Sequence, residues 1–130
     1  MLGSWGASLR SYLDAVLNQL NDVALRALSP GINDPRTARI CVRYLGAALA
    51  RLAGRRFPSP NRYDDDGRLR AIAPAPGFED LVRESFDSIR IAGRGFPEVA
   101  IEVLDALDEM LAQAHSAERR ALLAGVAREV

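Results

Sequence analysis

The chain has 130 residues, of which 48% are hydrophobic and 26% charged. That is enough apolar material for one domain with a buried core, and it excludes a disordered polypeptide. A single cysteine, Cys41, and a single histidine, His115, exclude an internal disulfide and a structural Cys/His zinc site. Residues 1–60 carry eight arginines against three aspartates, and residues 61–130 carry nine arginines against fourteen acidic residues, so the two halves have opposite charge.

Neither a membrane span nor an export signal is visible in the sequence. No uninterrupted apolar run approaches the roughly 20 residues that cross a bilayer. The N-terminus lacks a basic segment followed by an apolar one. We therefore expect this chain to be neither secreted nor membrane-spanning by itself.

The first predicted helix runs from Leu9 to Leu28, where apolar residues recur every three or four positions. The inward positions are Leu9, Leu13, Val16, Leu17, Leu20, Val23, Ala24, Ala27 and Leu28. Pro30 disfavours helical geometry at the residue before it, so the helix should end near Leu28. We expect Gly31 to adopt the positive φ that a helix exit often needs.

The second predicted helix starts at Asp34-Pro35. The Asp34 carboxylate can accept hydrogen bonds from free N–H groups of the first turn, and proline at the first helical position loses no hydrogen bond. The buried side should carry Ala38, Cys41, Leu45, Ala48, Leu49 and Leu52. Gly54 is expected to end the helix.

The segment 55–77 contains four prolines and is predicted to be a linker. Within it, Asp66-Gly67 lies between two short runs that can form strands. Asp-Gly favours a tight hairpin turn with two positive φ values, so we predict a small β-hairpin here.

Three further helices are predicted in the second half. One starts near Phe78 and ends in the turn Gly93-Arg94-Gly95, and Pro97 opens the next. Ser116 should cap the last helix. Their inward positions are Leu81, Val82, Phe86 and Ile89, then Val99, Val103, Leu107, Met110, Leu111 and Ala114, and finally Leu122, Leu123, Val126 and Val130.

The order of helix, glycine-containing turn and proline-started helix occurs twice, at ALRALSPGINDPRTA and SIRIAGRGFPEVA. We therefore predict a single all-α domain over residues 1–130, an antiparallel bundle of two helical hairpins plus a C-terminal helix. The first hairpin covers residues 1–54, the linker with its β-hairpin 55–77, and the second hairpin with the last helix 78–130.

The stretch ALRALSPGINDPRTA, followed later by RYDDDGRLR and FEDL, carries a family resemblance. From about residue 18 the chain is similar to the C-terminal soluble region of a bacterial predicted-membrane-protein family, domain of unknown function 2254. The matching residues are Asp22, Arg26, Ser29, Pro30, Gly31, Asn33, Asp34, Pro35, Thr37 and Ala38, whereas Arg36 stands where an apolar or aromatic residue is expected. The resemblance implies transmembrane helices before the soluble part, the cytoplasmic side of the inner membrane, and a chain that is a fragment or shortened relative. It implies no activity.

The SPGINDP turn has two interpretations. It is a connection between helices, or it is a ligand site in which the free N–H groups of the second helix converge with Asn33 and Arg36 on an anion. Asp34 argues against an anion because its carboxylate occupies the cap position. Asp22 and Arg26 are four residues apart and are expected to pair. The candidate residues are Asp22, Arg26, Ser29, Gly31, Asn33, Asp34, Arg36 and Thr37.

Two complementary charged stripes offer a second kind of site. Arg36, Arg39, Arg43 and Arg51 lie opposite the core side of the second helix, and Glu98, Glu102, Asp105 and Glu109 lie opposite that of the fourth. By default both are solvated faces. Alternatively a second copy of the chain docks basic stripe on acidic stripe, the membrane portion of a parent protein binds here, or the arginines meet anionic lipid. The acidic second half argues against nucleic acid.

The remaining candidates favour ordinary roles. The consecutive carboxylates Asp64, Asp65 and Asp66 lack the alternating ligand spacing of a calcium loop and predict a solvated turn. His115 is interpreted as a helix cap and Cys41 as a small buried hydrophobe. We expect no catalytic residue, cofactor or metal, and a non-enzymatic assembly or docking module. The alternative is a domain that binds a small ligand, an anion or a divalent metal at the SPGINDP turn.

Overall fold

The computed structural model describes residues 2–57, 61–72 and 77–130. Within these ranges it contains five helices: α1 (Leu2–Ala27), α2 (Pro35–Ala53), α3 (Phe78–Ala92), α4 (Pro97–Gln113) and α5 (Ala117–Glu129). One sheet is formed by the strands β1 (Asn61–Tyr63) and β2 (Leu69–Ile72). The predicted all-α fold with one β-hairpin is confirmed, while the linker prolines at positions 58, 60, 74 and 76 lie outside the described residues.

The predicted helix starts are confirmed at α2 and α5 by their caps. Asp34 Oδ1 accepts a hydrogen bond from the Thr37 N–H at 3.1 Å, and Ser116 Oγ accepts one from the Arg119 N–H at 3.1 Å. The predicted start of α1 was seven residues late, because the helix begins at Leu2. The side chain of Leu9 lies outside the described residues.

The β-hairpin uses a different turn from the predicted one. Only Gly67, at φ 78°, has a positive φ there, so Asp66 does not contribute a second one. The Asp64 carbonyl accepts from the Gly67 N–H at 3.0 Å, and the Asp64 N–H donates to the Arg68 carbonyl at 2.9 Å. Asp64 Oδ1 also accepts from the N–H groups of Asp66 and Arg68. Because its carboxylate organises the loop, Asp64 supports a longer turn with the glycine at its left-handed position.

The core joins all five helices. The largest fully buried side chains are Phe86, Leu45, Leu49, Ile89, Leu107, Met110 and Leu123. Asn21 is also buried, and its amide donates to the Ser85 carbonyl at 2.8 Å, which connects α1 to α3. Two residues predicted to lie inward are exposed instead: Val23, at 42%, and Val130, at 37%, which follows the end of α5.

Helices α2 and α4 form the most extensive helix contact, which connects the first hairpin to the second. Arg43 contacts Glu102, Gly46 contacts Ala106, and Gly54 lies against Gln113, so residue numbers rise together along both helices. The two helices therefore run parallel, as alternate helices of two antiparallel hairpins do. At Gly46 they are so close that an added Cβ would lie 2.6 Å from the Ala106 Cβ.

Candidate functional site

The SPGINDP turn is closed by its own backbone. The Asp34 N–H donates to the Ala27 carbonyl at 2.6 Å, and the Ser29 carbonyl accepts from the N–H groups of Ile32 and Asn33 at 3.1 and 2.8 Å. Ser29 Oγ donates to the Arg26 carbonyl at 2.7 Å, which satisfies one of the last carbonyls of α1. These bonds use the polar groups of the turn for chain reversal.

The left-handed residue of this turn is Asn33, at φ 52°, and not Gly31 as predicted. Asparagine is among the few residues that tolerate this conformation, since its short polar side chain makes local hydrogen bonds. Glycine and asparagine both tolerate a left-handed backbone, and the hydrogen bonds that close the turn place it at Asn33.

Comparing Asn33→Ala with Asn33→Gly tests this assignment. The alanine variant should be less stable than the glycine variant by about 1 kcal/mol, because alanine pays the cost of a left-handed backbone and glycine does not. Urea unfolding of both variants measures the difference. Equal midpoints would show that the turn does not require this conformation.

Both carboxylate oxygens of Asp34 accept hydrogen bonds from Thr37 in the first turn of α2. Besides capping the Thr37 N–H, its Oδ2 accepts from the Thr37 hydroxyl at 2.5 Å. The Thr37 hydroxyl and then the Thr37 N–H lower the pKa of the Asp34 carboxyl. A negative charge held at this helix start opposes the binding of an anion there.

The other turn candidates are spread out. Asn33 and Arg36 are exposed, and among the described residues no ion pair joins Asp22 to Arg26, although their spacing predicted one. A cleft of about 560 Å³ lies elsewhere, bordered by Phe57, Phe78 and Arg119. The turn therefore has the geometry of a connection.

The charged stripes meet within the chain at the contact between α2 and α4. Glu102 Oε1 lies 2.8 Å from Arg43 Nη2 and 3.4 Å from Arg39 Nε. The Glu102 side chain is only 12% exposed. The hydrogen bond from Arg43 lowers the pKa of Glu102, and the charges of Arg43 and Arg39 add to the effect. These three residues lie along the contact between the helices, so they are not available as a fully open stripe.

Acid should weaken the ion pairs of Glu102 with Arg43 and Arg39. The pKa of Glu102 is lowered from its ordinary value of 4.5, so the stabilisation is present above that value and is lost as the pH falls through the lower folded-state pKa. We expect Glu102→Gln to cost about 1 kcal/mol at pH 7 and much less near pH 3. Glu109→Gln is the matched control, since no described ion pair involves Glu109. Urea unfolding at both pH values measures the effect, and an equal loss at both would contradict the assignment.

The remaining charges of the stripes lie on one open face, beside exposed apolar side chains. Successive residues of a helix are about 100° apart, so the remaining stripe residues of α2 lie on one side of α2 and those of α4 on one side of α4. These two sides are adjacent, next to the Arg43–Glu102 pair, and point away from the core. Ile40, Tyr44 and Ile101 on this face are 40%, 64% and 59% exposed. We call it the α2–α4 face; it carries Arg36, Ile40, Tyr44 and Arg51 on α2, and Glu98, Ile101, Asp105 and Glu109 on α4.

The charges of this face are available for a partner. Within the described residues, Arg36 and Arg51 have no ion pair, and neither have Glu98, Asp105 and Glu109. Helix α2 therefore presents positive charge and α4 negative charge side by side. The face combines both signs of charge with exposed aliphatic and aromatic surface.

Arg119 connects the start of α5 to the end of α2, a role that the sequence did not predict. Its Nη1 donates to the carbonyls of Leu52, Ala53 and Arg55 at 3.1, 2.9 and 2.6 Å, at the end of α2. Its guanidinium also lies 4.8 Å from the ring centre of Phe57 and 4.9 Å from that of Phe78. No spacing in the sequence identifies such a residue, because its partners are distant along the chain. Phe78 is more than 40 positions away, and the carbonyls at the end of α2 are more than 60 positions away.

The structure bears differently on the ordinary roles predicted for Cys41 and His115. Cys41 is buried, and burial raises the pKa of its thiol, which does not favour a nucleophile. His115, the predicted cap of α4, makes no hydrogen bond within the described part of the chain. Instead Arg120 satisfies the carbonyls at the end of α4: its Nη1 donates to the Leu111 carbonyl at 2.8 Å and to the Ala114 carbonyl at 3.2 Å. In those same ranges no three His, Cys, Asp or Glu side chains are grouped to hold a metal ion.

These features define an all-α module in which Arg39, Arg43 and Glu102 of the charged stripes connect α2 to α4. The other stripe charges lie on the α2–α4 face. Among the described helices, none combines the length and apolar character needed to cross a membrane. The family model described as a predicted membrane protein, domain of unknown function 2254, matches residues 12–109. The chain therefore belongs to this family.

Two mycobacterial relatives are described as uncharacterized proteins. The proteins Rv1290c of Mycobacterium tuberculosis and Mb1321c of Mycobacterium bovis are each 36% identical to the chain over 104 residues, which is 80% of this chain and 20% of theirs. The chain thus spans about a fifth of the length of the curated relatives it matches. No solved structure matches the chain.

Proposed function

We propose that this chain is a non-enzymatic assembly module of a bacterial membrane protein, and that it assembles copies of that protein through the α2–α4 face. The observation that supports this function is a basic strip on α2 beside an acidic strip on α4, both without ion pairs among the described residues. The basic strip consists of Arg36 and Arg51, and the acidic strip of Glu98, Asp105 and Glu109. A surface with both signs of charge in a fixed order is complementary to its own copy.

The apolar residues of the face support a protein partner. Ile40, Tyr44 and Ile101 are large exposed side chains, and burying their apolar surface against a partner is favourable. The charges around them can form a polar rim. A surface adapted only to solvent gains nothing from isoleucine and tyrosine at these three positions. We therefore expect association that combines apolar burial with charge pairing.

Charge reversal tests the assembly function. Arg36→Glu/Arg51→Glu makes both strips acidic, and Glu98→Arg/Glu109→Arg makes both basic, so each variant should remain monomeric. A mixture of the two variants restores opposite charges at both contacts and should form a heterodimer. Sedimentation velocity from about 1 μM to about 1 mM, at low salt and at about 0.5 M salt, measures the association.

Three results would contradict the proposal. The first is an unmodified chain that stays monomeric at all concentrations at low salt. The second is association of the variants equal to that of the unmodified chain, and the third is a mixture that fails to associate. A fourth outcome favours a different partner: binding to anionic vesicles that Arg36→Glu/Arg51→Glu abolishes, without self-association of the unmodified chain, would assign the arginines to a lipid surface. Circular dichroism controls for folding of each variant.

We include the cytoplasmic side of the inner membrane in the proposal. Its support is the resemblance of the chain to the region that follows the spanning helices of this family. A cysteine placed at exposed position Gly95 of this region, in a full-length protein that carries it, should resist a membrane-impermeant thiol reagent in intact cells. Rapid labelling in intact cells would overturn this part of the proposal.

A further inference from the structure

The parallel course of α2 and α4 determines how a second copy fits the α2–α4 face. We infer that two copies bind each other face to face about a twofold axis parallel to these helices, with α2 of each copy on α4 of its partner. This inference rests on the proposed assembly function and adds the symmetry and the register of the contact.

The symmetry follows from the order of charge. An axis parallel to the helices exchanges left and right across the interface, so the basic strip of one copy lies on the acidic strip of the other. An axis in the same interface but perpendicular to the helices places α2 on α2 and α4 on α4. That arrangement sets arginine against arginine and acid against acid, which costs free energy.

The register follows from the contacts within one chain. Arg43 is level with Glu102, Gly46 with Ala106 and Gly54 with Gln113, so residues at equal height differ by 59 or 60 positions. A rotation about an axis parallel to the helices leaves every height unchanged. The same offset therefore applies between the two copies.

This offset matches the residues of the face. Arg36 lies within one helical turn of the height of Glu98, Ile40 within one turn of Ile101, and Arg51 within one turn of Glu109. Two charge pairs thus enclose an apolar contact, and the twofold repeats the set on the other side of the axis. Nothing in the sequence stripes alone indicated this alignment, since it depends on α2 and α4 being parallel and level.

The size of the face sets the expected strength. The 19 residues of α2 span about 28 Å, and two adjacent helices are about 20 Å wide. Two copies would bury on the order of 1,000 Å², the lower end of specific interfaces. We therefore expect weak association that decreases with salt. Because rotation about this axis leaves heights unchanged, equivalent points of the two copies lie at the same end of the pair, as two copies held by one membrane require.

Cysteine cross-linking tests the arrangement. In a Cys41→Ala background, chains with Ile40→Cys are mixed with chains with Ile101→Cys and oxidised at low salt. We expect a disulfide-linked heterodimer to form at least tenfold faster than from a mixture of Ile40→Cys with Ala112→Cys. The second pair is a matched control, because Ala112 is exposed on the same helix three turns further along.

A third variant, Ala47→Cys, detects the perpendicular axis. Ala47 lies near the middle of α2, where that axis would bring two copies of the same residue together. Rapid Ala47–Ala47 disulfide formation, or equal rates for the two mixtures, in a chain that self-associates would overturn the parallel twofold and leave the assembly function standing. A chain that stays monomeric by sedimentation would overturn both. Self-association of the Cys41→Ala background is measured first, so that a folding defect is recognised.

Discussion

Gly46→Leu is expected to lower the free energy of unfolding by about 3 kcal/mol, an effect at the upper end for overfilling a packed interior. The position is buried at the closest approach of α2 to α4. A Cβ there would lie 2.6 Å from the Ala106 Cβ and 3.2 Å from the Ala106 Cα, so part of the obstacle is backbone. Leucine forces the two helices apart along their whole contact.

Smaller changes separate steric crowding from helix propensity. Gly46→Ala gains up to about 1 kcal/mol of propensity yet should still be destabilising, because the added methyl has no space. Gly125→Ala in α5 is the matched control: its Cβ would meet only the end of the Arg128 side chain at 3.9 Å, so stability should rise by roughly 0.5 to 1 kcal/mol.

The double substitution Gly46→Ala/Ala106→Gly moves the methyl from one helix to the other. It should recover part of the stability lost by Gly46→Ala alone, because the 2.6 Å contact with the Cβ of residue 106 is removed while the 3.2 Å contact with its Cα remains. Thermal and urea unfolding of the unmodified chain, Gly46→Ala, Ala106→Gly and the double variant measure the cycle. A Gly46→Leu chain as stable as the unmodified one would disprove the close contact.

Local rules were sufficient for most helix boundaries. Asp34-Pro35, Gly54 and Ser116 each act on backbone groups within a few residues, so the sequence alone indicated where α2 and α5 start and where α2 ends. The turn was harder, because Asn33 and Gly31 can both take a left-handed backbone. Which of them does so depends on the hydrogen bonds that close the turn between Ala27 and Asp34.

Contacts between distant segments could not be predicted by such rules. Periodicity assigned Glu102 to a solvated stripe, but periodicity describes one helix and cannot tell which neighbour lies beside it. The parallel contact of α2 with α4 places Glu102 between Arg39 and Arg43. The candidate face was therefore half predicted: its charges were visible in the sequence, but the division into paired and unpaired charges required the fold.

Arg119→Ala should lower the free energy of unfolding by about 3 kcal/mol, because one side chain serves several partners. The guanidinium donates to three carbonyls at the end of α2 and lies over the rings of Phe57 and Phe78. Without it, those carbonyls lose a charged donor and the two rings lose a cation between them. The start of α5 would no longer be fastened to the end of α2.

Arg119→Lys and Arg128→Ala make this prediction specific. Lysine keeps the charge but lacks the planar group that stacks on aromatic rings, so it should recover less than half of the loss. Arg128 is exposed in the same helix and has no ion pair among the described residues; its removal should change stability by less than about 0.5 kcal/mol. Urea unfolding at neutral pH measures all three. If Arg119→Ala and Arg128→Ala had the same small effect, the contacts of Arg119 would be incidental; if lysine restored full stability, charge alone would explain its role.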